Sequence, residues 1–76
     1  MHADHPAFGD HYRAKTAVLG GIIALGHPIN VHVVRVEPES ITVLEVDPPH
    51  AEAAFAPAWF LENYEPTSPP PARVGQ

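Results

Sequence analysis

The chain has 76 residues, no cysteine, and nine acidic against four basic side chains, for a formal net charge of −5 with histidine neutral. That length holds one domain, and the four bases, Arg13, Lys15, Arg35 and Arg73, are too scattered to neutralise a row of phosphates, which argues against nucleic acid as a partner. A domain this small buries only about 60% of its unfolded surface, and disulfides cannot reinforce it, so self-association is the remaining common route to stability. Charged residues make up 17% of the chain, below the roughly 25% usual in soluble domains. The absence of cysteine fits a reducing, cytoplasmic setting.

Residues 1–10 have no hydrophobic period and read as a loose, flexible arm. His2, Asp4, His5, Asp10 and His11 lie close together there. Imidazoles are good transition-metal ligands, so His2, His5 and His11 are weak metal candidates, weak because a flexible arm is not a preformed site. Nothing in the chain calls for a cofactor.

Arg13 and Lys15 then precede an uncharged run, Thr16 to Gly26. It resembles a secretory apolar segment, but it starts late, behind an acidic, histidine-rich leader, and carries Gly20-Gly21 at its centre. It is too short to span a bilayer as a helix, so no membrane is expected. The pattern is read as a strand over Tyr12–Leu19, a turn at Gly20-Gly21 and a short strand over Ile22–Leu25, stopped by Gly26-His27-Pro28. A helix over 13–25 is the alternative; each glycine would cost it about 1 kcal/mol.

The clearest element is a hairpin. Ile29–Val36 and Ser40–Val46 are rich in β-branched residues, and Glu37-Pro38-Glu39 between them supplies turn chemistry. A turn centred on Pro38-Glu39 sets Val36 opposite Ile41, Val34 opposite Val43 and His32 opposite Glu45 on one side. Arg35 then faces Thr42, Val33 faces Leu44 and Val31 faces Val46 on the other. Both faces are apolar in that register, whereas a solvated hairpin alternates. Either the strands bend into a barrel, or one face (Val34, Val36, Ile41, Val43) packs on another subunit, or a one-residue bulge swaps faces midway.

After Asp47-Pro48-Pro49, His50–Ala56 reads as a last strand and Pro57–Leu61 as a single 3₁₀ turn, since Pro57 interrupts a helix begun at Ala51. That turn sends Trp59 or Phe60, with Leu61, into the core, and Tyr64 closes the end. The tail, 66–76, with Pro69-Pro70-Pro71, is expected to be extended and disordered. The fold class that results is all-β: four to five short strands with a terminal 3₁₀ turn, over residues 11–65.

This outline resembles an SH3-like small barrel. By residue it is also similar to the type II dihydrofolate reductases, through Phe8-Gly9, Arg13 and Lys15, Gly21-Ile22-Ile23 and Pro57-Ala58-Trp59-Phe60-Leu61-Glu62. That resemblance implies a barrel and a precedent for oligomers. The family lines a tetrameric pore with a Gln-Ile-Tyr tripeptide on its last strand. Here the corresponding stretch is Ala54-Phe55-Ala56, so the catalytic surface and the activity do not carry over.

No nucleophile elbow, P-loop, zinc spacing or dinucleotide fingerprint occurs. The expected contact surfaces are therefore the hairpin face and the aromatic cluster of Phe55, Trp59, Phe60 and Tyr64, part of which a small barrel leaves outside. His32 facing Glu45, about 5 Å apart at Cβ, joins Lys15 as the only polar candidate site. A binding and self-assembly module is the expected role, with itself or another protein as partner. A small enzyme with an inter-subunit site, and metal capture by the N-terminal histidines, are the alternatives.

Overall fold

The computed structural model describes residues 6–69. His2 and His5, and the tail beyond Pro69, lie outside the described residues. The fold is mainly β, as the sequence pattern predicts. One antiparallel sheet has the order β4-β3-β2-β1-β5, built from β1 His11–Ala14, β2 Asn30–Glu37, β3 Ser40–Glu45, β4 Glu52–Phe55 and β5 Tyr64–Pro66. A 3₁₀ turn (Thr16–Val18) and helix α1 (Leu19–Ala24) join β1 to β2, and helix α2 (Pro57–Asn63) carries the chain from the β4 edge to the β5 edge. No pairing joins β4 to β5 among the described residues, so the expected barrel stays an open sheet, its inner face packed by the two helices.

The hairpin fixes the core. Near the turn the expected register holds, with Val36 opposite Ile41 and Arg35 opposite Thr42. Between Val33 and Arg35 the ladder slips, so that Val33 faces Val43, His32 faces Leu44 and Val31 faces Glu45. A slip of one residue moves every later side chain to the other face. The bulge at Val34 is thus what brings Val31, Val33, Ile41 and Val43 onto one face, where all four are buried. Of the three ways of covering a two-faced hairpin, the chain uses the bulge. The pairs Val34–Val43, Val33–Leu44, Val31–Val46 and His32–Glu45 expected from an unbroken ladder do not form.

Residues 16–24 are helical, which corrects the two-strand reading beyond Ala14. Gly20 and Gly21 are exposed, with nothing within 4 Å of where a side chain would begin. The cost of those glycines is offset at two places. Ile22 is buried in the core, which stabilises by roughly 1.5–3 kcal/mol. The C-terminus closes as a Schellman motif: Gly26, at φ +76°, donates its N–H to the Ile23 carbonyl, and the His27 N–H donates to the Ile22 carbonyl. A strand here would lose both.

The remaining differences are local. Pro57 starts a helical element, as expected, because the first helical position needs no N–H donor; an α-helix of two turns, Pro57–Asn63, replaces the expected 3₁₀ turn. β4 is shorter than the expected 50–56 strand. Residues 6–10 are not a free arm. Pro6 is buried, the Asp10 carboxylate accepts the Ala7 N–H at 2.9 Å, and Gly9 N–H donates to the Val33 carbonyl at 2.8 Å.

Phe60 is fully buried at the centre of this core. Phe60→Ala should cost about 3–5 kcal/mol, whereas Val36→Ser, at an exposed hairpin tip, should stay within about 0.5 kcal/mol. Urea unfolding followed by tryptophan fluorescence measures both.

Candidate functional site

The aromatic residues form one column. Phe60 stacks on Tyr64 (centroids 4.9 Å apart, planes at 13°) and meets Tyr12 at 4.9 Å, while Phe55 stacks on Trp59 at 5.0 Å and 25°. Phe55, Phe60 and Tyr64 are buried. The expected sticky aromatic patch is therefore mostly core: α2 places Phe60 on the inner face, β4 points Phe55 the same way, and only Trp59 keeps a partly exposed edge.

The Tyr64 hydroxyl donates to the buried Pro28 carbonyl, tying the last strand to the segment between α1 and β2. Burial pushes the Tyr64 hydroxyl from its ordinary 10.0 up to about 12. Tyr12 is raised as well, by burial first and by the nearby Asp10 charge second.

The same loop brings in the histidine of the Gly26-His27-Pro28 stop. His27 is half-buried, its ring edge-on to Phe55 (5.0 Å, 87°) and to Trp59 (5.6 Å, 76°). It caps the aromatic column and joins it to α1, whose Ile23 and the following Leu25 remain 57% and 65% exposed. Between Lys15 and Arg35 the chain has no Asp, Glu, Lys or Arg. Ile23, Leu25 and His27 thus belong to the longest charge-free stretch of the chain, which Trp59 meets through His27. That stretch was the signal in the sequence for Ile23 and Leu25, as the aromatic cluster was for Trp59.

The predicted contact face of the hairpin is not a surface. Ile41 and Val43 are interior, Val34 is the half-buried bulge residue, and Val36 alone is exposed, at 44%. The polar candidates also separate. Glu45 lies opposite Val31 while His32 lies opposite Leu44, on the alternate face. Lys15 follows the other end of β1, where its N–H donates to the Asn63 carbonyl. A site built from Lys15, His32 and Glu45 has no common geometry. What the sheet does bring together is His11 and His32, directly opposite on β1 and β2, with rings 5.6 Å apart and 23° from parallel.

No helix of the described residues is long and apolar enough to cross a membrane. Comparison with family models, with curated proteins and with solved structures finds no match.

The Tyr64 contact gives a pH dependence with a definite sign. The folded chain holds the Tyr64 proton to a higher pH than the unfolded chain, so this contribution to stability is complete below pH 10.0 and is lost as pH rises towards about 12. Tyr64→Phe should flatten that alkaline loss in urea titrations. It should also cost about 1–3 kcal/mol at neutral pH, because the buried Pro28 carbonyl loses its donor.

Proposed function

We propose that this domain is a small assembly module that associates with a second copy of itself through the apolar surface of α1 and its neighbours. The observation that carries the reading is the exposure of Ile23 and Leu25 within a charge-free stretch. The chain is acidic overall, at −5, so two copies repel through most of their surfaces. The acidic residues of the described region lie outside the 16–34 stretch, at Asp10 and from Glu37 onward, with Glu62 three residues beyond Trp59. An uncharged face is where two such copies approach at least electrostatic cost. Aromatic residues at the centre of a contact contribute most to its energy, and Trp59 supplies a rigid, half-covered one braced by His27 and Phe55.

Association also answers the size problem. A small open sheet with two free edges and two short helices on its inner face gains from covering Ile23 and Leu25. The SH3-like outline is a plan shared by many unrelated families, so it names no ligand and leaves the surface to carry the reading.

Ile23→Asp and Leu25→Asp place a charge at the centre of the proposed contact without touching the core. Each should weaken self-association by about 30-fold, equivalent to ~2 kcal/mol. Sedimentation equilibrium of the variants beside the parent chain reads this directly. A parent that stays monomeric across the concentration range, or variants that associate as well as the parent, would refute the reading.

A further inference from the structure

We propose that His11 and His32 form a cross-strand clamp for a divalent transition-metal ion of the copper, nickel or zinc type, on residues separate from those of the proposed contact face. The argument begins with the register. Val33 N–H donates to the Asp10 carbonyl and Ala14 N–H to the Ile29 carbonyl, each at 2.9 Å. These bonds fall on the positions that alternate with the pair, so His11–His32 is a non-hydrogen-bonded pair of the β1–β2 ladder. In such pairs the Cα atoms approach to about 4.5 Å and the side chains stand closest. The rings accordingly lie side by side on the outer face of the sheet, 5.6 Å between centroids.

Two imidazoles on one rigid surface are suited to Cu²⁺, Ni²⁺ and Zn²⁺ and poorly suited to Ca²⁺ or Mg²⁺. Both backbones are fixed before any metal arrives. The His11 carbonyl accepts the Thr67 N–H at 2.9 Å, and β2 is paired on both sides. Among the described residues neither ring has a hydrogen-bond or ion-pair partner, so their nitrogens are not already committed. Beside His11 an open hollow of about 230 Å³, lined also by Asn30, Asp47 and Thr67, has room for water. No third His, Cys, Asp or Glu completes a cluster among the described residues. The clamp is therefore two-point, with water in the remaining positions, and the chain's net charge of −5 favours a cation.

The test uses the full chain carrying His2→Ala and His5→Ala, which removes the other N-terminal imidazoles. Titration with CuCl₂ or NiCl₂ near neutral pH, followed by calorimetry, should give one saturable equivalent. Two ligands held together act as a bivalent site, so His11→Ala or His32→Ala should lower the affinity by about 10²-fold. Amide correlation spectra confirm that each variant is folded, and His32→Gln replaces His32→Ala should alanine disturb the sheet. In the same spectra, substoichiometric Cu²⁺ should broaden resonances around residues 11, 32 and 44 first. Binding that survives unchanged in a folded His32 variant, broadening centred on His27 or His50, or no saturable binding at all would overturn the proposal.

Discussion

The structure depends on one irregularity, the extra residue at Val34. Both faces of the central hairpin carry apolar residues, so a regular ladder would leave part of that apolar surface in water. The bulge shifts β2 by one residue against β3. It gathers Val31, Val33, Ile41 and Val43 on the inner face, where they are within 1% of complete burial. A local defect in hydrogen bonding is offset by the burial of side chains that each contribute roughly 1.5–3 kcal/mol.

The other features follow from that inner face. Once it is apolar, α2 lays Phe60 across it and the aromatic column forms around Phe60, from Tyr12 through Tyr64 to Phe55 and Trp59. The Tyr64 hydroxyl reaches Pro28 and His27 closes the column edge-on, which fixes where α1 ends relative to the sheet. Ile22 turns inward at that point and Ile23 and Leu25 are left outside. On the opposite side of the sheet, the same slip takes His32 away from Glu45, and its β1 partner is His11. The apolar surface and the histidine pair are two consequences of one register.

Much of the fold was legible in the sequence. The β-branched runs on either side of Pro38-Glu39 announce the hairpin and its turn, and the sums of opposed residues are right from Arg35 to the tip. The bulge was legible only as an option, because the two-faced apolar pattern says that something must swap faces without saying where. The helix at 19–24 was obscured by Gly20-Gly21: local propensity disfavours it, and the decisive terms, the burial of Ile22 and the Schellman closure at Gly26, arise only in three dimensions. Pro57 marked where the last helical element begins but not that it runs on as an α-helix to Asn63. The candidate surface was less legible still. Trp59 was visible as part of an aromatic cluster, but that its neighbours Phe55, Phe60 and Tyr64 turn inward, and that His27 turns towards it, depends on contacts remote in sequence.

Because the inner core, the histidine pair and the exposed α1 face all rest on the slip at Val34, the most direct measurement is a cross-strand Hα–Hα nuclear Overhauser spectrum of the folded chain. Strong effects between Val33 and Val43 and between Val31 and Glu45, the non-hydrogen-bonded pairs of the bulged ladder, are the predicted result. Strong effects between Val34 and Val43, with none from Val33 to Val43, would mean an unbroken ladder and would contradict the account at its base.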